Sequence, residues 1–86
     1  MPPLAAELAP LRINAVSPGV VDTAWWSGLP EADRTAFFAD IASRLPVGRV
    51  GTADDIAQAV TYLAGNGFTT GTVLDCSGGA VLATGR

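Results

Sequence analysis

The stretch Arg12–Thr23, RINAVSPGVVDT, constrains the fold more than any other part of the chain. Ile13, Ala15 and Val16 surround one polar residue, Asn14. Such a near-continuous apolar run fits a strand covered on both faces, as in a parallel sheet. Pro18 has no N–H to give to a ladder, so it ends the strand. Gly19 allows a sharp turn or a close approach of the backbone to a ligand. In open α/β sheets, ligands bind just beyond the carboxyl ends of strands. A strand that runs into Pro-Gly and on to polar Asp22-Thr23 is therefore a candidate site wall. Simple strand termination is the alternative for Pro18-Gly19.

The flanking segments place this strand in a larger pattern. Leu4–Ala9 (LAAELA) is strongly helix-forming but short, and it reads as the last turns of a longer helix stopped by Pro10. Trp25 and Trp26 are adjacent and cannot share one face of an element, so one is predicted inward and the other over a pocket, unless both are plain packing. Pro30 opens a helix with Glu31 and Asp33 in its first turn, where negative charge suits the dipole. Its apolar stripe is Phe37, Ile41 and Leu45, with Phe38 beside it and Asp40–Arg44 as an i,i+4 pair. Thr52 followed by Asp54 and Asp55 predicts an N-cap, and a helix to about Ala64 presents Ile56, Val60, Leu63 and Ala64 on one face. Gly65-Asn66-Gly67 is expected to supply its C-cap. Thr72–Cys76 is a second short strand, broken by Ser77-Gly78-Gly79. Strand, helix, strand is the parallel crossover unit. Two strands and about three helices do not cover both faces of a parallel sheet, so the fold class is α/β, at the edge of a larger doubly wound sheet.

Composition points the same way. With 86 residues the chain is at most one small domain, and a chain of that size buries only ~60–65% of its unfolded surface. It is nevertheless 49% hydrophobic and only 15% charged, too apolar for disorder. Some apolar surface is expected to meet more of its own fold or a partner, the alternative being a small, well-packed domain. The five basic residues are all Arg, scattered, in a chain of net charge −3. That excludes a phosphate-neutralising stripe, so no nucleic-acid partner is expected. There is no Lys and no His, which removes most general bases and the commonest metal ligand. Cys76 is the sole cysteine; it forms no disulfide framework and no metal spacing, and it suits a reducing, cytoplasmic setting. No signal peptide or membrane span is expected, since MPPLAAELAP has neither a basic start nor a long apolar run. Gly65-Asn66-Gly67 with Gly71 is not a phosphate loop, because it follows a helix and precedes a strand. Tyr62 reads as a packing residue, and the acids lie mainly at helix starts or on polar faces.

Three stretches coincide with one family: LAAELAPLRINAVSPGVVDT at 4–23, RLPVGRVGTADDIAQAVTYLAG at 44–65 and TTGTVLDCSGG at 69–79. In this order and spacing the chain resembles the C-terminal part of a short-chain dehydrogenase/reductase. The resemblance implies that residues 1–86 are part of a Rossmann-type doubly wound sheet. Residues 4–9 would be the end of the helix that carries the family's catalytic Tyr and Lys, and Arg12–Val16 the sixth strand. Residues 24–45 would be the substrate lobe, 53–64 the last helix, and 72–76 the last strand, which often packs at a subunit interface. Pro18 and Gly19 would shape the nicotinamide side of an NAD or NADP site. The Val21 backbone would contact the carboxamide, and Thr23 the carboxamide or pyrophosphate. Trp25 and Trp26 would face an alcohol or carbonyl substrate, with hydride transfer as the reaction.

The chain departs from the family at the chemistry itself. No Lys means no Tyr-x-x-x-Lys. The Gly-rich loop and the catalytic Ser are absent too, Ser17 being assigned to the Pro-Gly turn. No catalytic residue and no metal ligand is assigned, and the chain is expected to be inactive alone. A homo-oligomer, or pairing with a full-length relative, is expected. A non-enzymatic interaction module and a truncated gene product are the alternatives.

Overall fold

In the computed structural model, residues 2–80 and 82 are described. The first helix, α1, spans Pro2–Glu7 and buries Ala5. It lies slightly earlier than the sequence suggests. The residue before a proline is biased away from helix, and Ala9 precedes Pro10, so the turns at 8–10 are not helical.

Strand β1, Ala15–Pro18, is the centre of the arrangement. It pairs in parallel with the last strand, Val73–Cys76, in the register Ala15↔Val73 to Pro18↔Cys76. Ser17 therefore lies within the strand, opposite Asp75, rather than in the turn. The strand also starts at Ala15, not at Arg12; upstream the Gly71 N–H still donates to the Ile13 carbonyl at 2.8 Å, and side chains carry the rest of the pairing. The Asn14 carboxamide accepts from the Thr72 N–H at 3.0 Å and donates to the Thr69 carbonyl at 3.1 Å. The Thr70 hydroxyl accepts from the Ile13 N–H at 3.1 Å. The one polar residue in the apolar run is thus the clamp that aligns the two strands.

A second parallel pair follows. Strand β2, Val21–Asp22, lies against β3, Gly51–Thr52, with Val21 opposite Gly51. The described residues therefore hold four strands in two pairs, with Val73–Cys76 as β4, rather than the expected two strands. Two-residue strands are too short to leave a periodic signal. Helix α2 spans Glu31–Arg44 behind Pro30, and α3 spans Ala53–Gly65. Phe37, Phe38 and Ile41 on α2 are half-buried, and no residue of α2 is fully buried. The Asp40–Arg44 pair forms at 2.7 Å on the exposed side, where such pairs contribute little.

The two ends of α3 are satisfied in different ways. At its N-terminus the Thr52 hydroxyl accepts from the Asp55 N–H at 3.2 Å, and the Asp55 carboxylate accepts from the Thr52 N–H at 2.7 Å. This is a complete capping box. At its C-terminus the expected Gly65-Asn66-Gly67 run supplies the cap through Asn66, whose N–H donates to the Tyr62 carbonyl at 3.0 Å, and neither glycine has positive φ. Arg12 completes the closure. Its guanidinium donates to the carbonyls of Leu63 and Ala64 at 2.9 Å each and to that of Asn66 at 3.0 Å. These carbonyls have no partner within the helix, and a cation there also suits the dipole.

The core is thin. Among the described residues only Ala5, Ala59 and Leu63 are buried apolar residues, whereas Leu11, Trp25 and Phe68 are exposed. The Cα radius of gyration is 15.6 Å, against about 12 Å for a compact domain of this length. The parallel strands with α3 between them form part of an α/β sheet, and apolar faces on that part stay open.

Candidate functional site

Gly19 directs the chain out of the sheet. Its N–H donates to the Cys76 carbonyl at 3.3 Å, one step past the end of the β1–β4 ladder. A Cβ at Gly19 would lie 2.9 Å from both Cα and Cβ of Ser77. Only glycine fits this approach, and here it serves packing against Ser77. The Ser77 hydroxyl oxygen is buried and has no hydrogen-bond partner among the described residues. Pro18, at the carboxyl end of β1, is exposed.

From there the chain enters β2. Val21 is half-buried, and its carbonyl accepts from the indole N–H of Trp26 at 2.9 Å. Thr23 is exposed and caps a 3-10 turn over Ala24–Gly28, its hydroxyl accepting from the Trp25 N–H at 3.4 Å. A carbonyl oxygen has a second lone pair and a capping hydroxyl keeps its own proton. Val21 and Thr23 thus offer an acceptor and a donor just past the carboxyl end of β1.

The two tryptophans separate as the adjacency argument requires. Trp25 is 82% exposed. Trp26 turns inward, its ring centroid 5.0 Å from Phe37 and 5.9 Å from Phe38, the latter edge-on. The 3-10 turn is therefore joined to α2 by an aromatic cluster, geometry worth more than its buried area alone.

Two grooves flank this region. One, of about 300 Å³, includes Val20, Arg49, Gly51, Asp55 and Ser77 in its lining. Arg49 grips Asp55 there with both guanidinium nitrogens, at 2.7 and 3.1 Å. That ion pair, with the Thr52 N–H, holds the Asp55 carboxyl well below the usual carboxylate range. The capping box is visible in the sequence; its lock by Arg49, six residues upstream, is not. The other groove, of about 310 Å³, lies between β1 and α3, among Arg12, Asn14, Val16, Val60 and Leu63. Neither groove is lined by Pro18, Gly19, Val21 or Thr23. Among the described residues no cluster of His, Cys, Asp or Glu is gathered for a metal ion. No described helix is long and apolar enough to cross a membrane.

Comparison with known proteins agrees with this geometry. Residues 3–81 match the family model described as enoyl-(acyl carrier protein) reductase. The chain is 46% identical over 79 residues to short-chain dehydrogenase/reductase ATR9 of Stachybotrys chlorohalonatus, covering 92% of this chain and 31% of that protein. It is 39% identical over 75 residues to the 3-oxoacyl-[acyl-carrier-protein] reductase FabG of Pseudomonas aeruginosa, covering 85% of this chain and 29% of that one. A crystal structure of a small-chain dehydrogenase in complex with NADPH superposes with a TM-score of 0.85 at 49% identity, over 92% of this chain and 36% of its own. The MalC reductase/Diels-Alderase from Malbranchea aurantiaca gives a TM-score of 0.83 at 34% identity, over 95% and 32%. The match runs through almost all of the chain but only about a third of each relative. The chain belongs to the short-chain dehydrogenase/reductase family of oxidoreductases and spans about a third of the length of the relatives it matches.

Proposed function

We propose that this chain is the C-terminal part of an NAD(P)-dependent oxidoreductase, supplying one wall of the nicotinamide site and the lobe over an alcohol or carbonyl substrate. The observation that carries the reading is the path of the chain after β1. Gly19, packed on Ser77, sends it past the sheet's carboxyl edge, where ligands bind in this architecture. A carboxamide needs an acceptor for its NH₂ and a donor for its oxygen. The Val21 carbonyl and the Thr23 hydroxyl are that complementary set, so these residues fit the group. The bound cofactor would supply hydride transfer; this chain's part is to bind and orient. Pro18 and Gly19 fix the direction of the wall, and Trp25 presents an exposed apolar face on the substrate side. A cytoplasmic location goes with this reading.

No residue of this chain is assigned proton transfer, since the Tyr-x-x-x-Lys pair of the family is missing and the chain has no lysine. It is expected to be inactive alone. Reduced nicotinamide absorbs where tryptophan emits, so titrating the pure chain with NADH or NADPH tests both points. The expected result is energy transfer from tryptophan to the nicotinamide, competed by nicotinamide mononucleotide, with no carbonyl reduction. Absence of energy transfer, or turnover by a preparation of the correct intact mass, would overturn the reading.

A second reading, a non-enzymatic module that pairs with a copy of itself or with a full-length relative, is favoured by the thin core and by Leu11, Val60 and Phe68 on the surface. Sedimentation as a stable, monodisperse monomer would count against it.

A further inference from the structure

We propose that Trp26 is a positioning residue for the nicotinamide wall rather than a substrate contact. This rests on the reading of Val21 as the carboxamide-facing residue. The Trp26 indole N–H donates to the Val21 carbonyl at 2.9 Å. The same ring packs on Phe37 and Phe38 of α2. One side chain therefore ties the acceptor of the wall to the lobe helix.

Three consequences follow from chemistry. A peptide carbonyl on a two-residue strand is weakly held, because among the described residues β2 has only β3 beside it. The indole N–H fixes the plane of that carbonyl and fills one lone pair, so the second lone pair has a defined direction. A ligand N–H meeting a pre-set acceptor loses less ordering entropy than one meeting a free carbonyl. Trp26 also begins from a fixed place, since the Thr23 hydroxyl caps the turn that carries it. Any displacement of α2 is carried through Phe37 and Phe38 to the indole, and through it to the acceptor. Lobe position and nicotinamide affinity are then coupled through one hydrogen bond. Trp25, its neighbour in sequence, has no part in this link and stays 82% exposed.

The test uses the full chain, carbonyl-labelled, titrated with reduced nicotinamide mononucleotide as the probe. Trp26→Phe keeps an aromatic ring against Phe37 and Phe38 and removes only the N–H donor. Phe37→Leu thins the cluster and keeps the donor, so it controls for lost stability. The expected result is a displaced Val21 carbonyl resonance and about three- to tenfold weaker binding in Trp26→Phe, the range of one neutral hydrogen bond. Phe37→Leu is expected to lower the melting midpoint with a smaller shift at Val21 and a smaller loss of affinity than Trp26→Phe, since the indole donor remains. If the unsubstituted chain binds and Trp26→Phe binds equally well, the positioning role is overturned and the cofactor reading stands. If the unsubstituted chain shows no response at Val21, the cofactor reading falls and this role falls with it.

Discussion

Arg12 Nη1 lies 2.9 Å from the carbonyl oxygen of Leu63, and Nη2 lies 2.9 Å from that of Ala64. An arginine in the segment leading into β1 thus closes the end of α3, across more than half the chain. Removing it leaves the Leu63 and Ala64 carbonyls of α3 without their donor. Arg12→Ala is expected to destabilise the chain by about 1–3 kcal/mol in chemical denaturation, the range for charge-assisted hydrogen bonds. Arg12→Lys is expected to recover part of this. It keeps a cation at the helix terminus but lacks the planar fork that reaches several oxygens together.

Asn14 sets the register of β1 against β4 through Thr69 and Thr72. Asn14→Asp keeps the acceptor for the Thr72 N–H and loses the donor to the Thr69 carbonyl. A loss of about 1–2 kcal/mol is expected, with a larger one for Asn14→Ala. Faster hydrogen exchange at Thr72 in the alanine variant alone would separate the two bonds.

Gly19 and Gly28 make a matched pair of tests. Alanine at Gly19 brings its Cβ to 2.9 Å from the Ser77 backbone, whereas alanine at Gly28 meets nothing within 4 Å. Gly19→Ala is expected to cost about 1–3 kcal/mol through backbone displacement and to weaken nicotinamide binding. Gly28→Ala is expected to be neutral or stabilising by up to about 1 kcal/mol. Melting midpoints of the two variants, read side by side, check this.

Acid sensitivity is expected to centre on Asp55. Its hydrogen bonds from Arg49, followed by that from the Thr52 N–H, depress its pKa in the folded chain. A depressed carboxyl contributes stability that is fully present above its unfolded pKa of about 3.9 and is lost as pH falls toward the folded value. Stability should therefore hold from neutral pH to about 4 and decline below it. Asp55→Asn is expected to start lower at neutral pH and to show a shallower acid decline. Thermal melts of both proteins across that range provide the measurement.

Much of this was legible in the sequence because it is local. The strand ending at Pro18, the helix behind Pro30 and the Thr52–Asp55 cap each depend on residues a few positions apart. The split of Trp25 from Trp26 follows from adjacency alone. What sequence reasoning missed is long-range or very short. Arg12, which closes the end of α3 alongside the Asn66 cap, joins residues about fifty positions apart. Asn14 reads as an oddity in an apolar run until Thr69 and Thr72 are beside it. The β2–β3 pair has two residues per strand, below the length at which alternation can be seen. Ser17 was misplaced for a related reason. A Ser-Pro-Gly run signals a turn, yet Pro18 can close a strand without breaking the pairing of the residue before it. The candidate wall was legible as a place, after Pro-Gly. The link from Trp26 to Val21 was not, because it depends on the 3-10 turn that carries the indole back.

The central claim, that the turn from Gly19 to Thr23 faces the nicotinamide, is tested most directly by mapping amide and carbonyl shifts of the labelled chain during titration with reduced nicotinamide mononucleotide. Val21 and Thr23 are expected to move first and furthest, while Val60, Leu63 and Ala64 in the groove between β1 and α3 stay in place. Shifts confined to that groove, or no shifts at all, would contradict it.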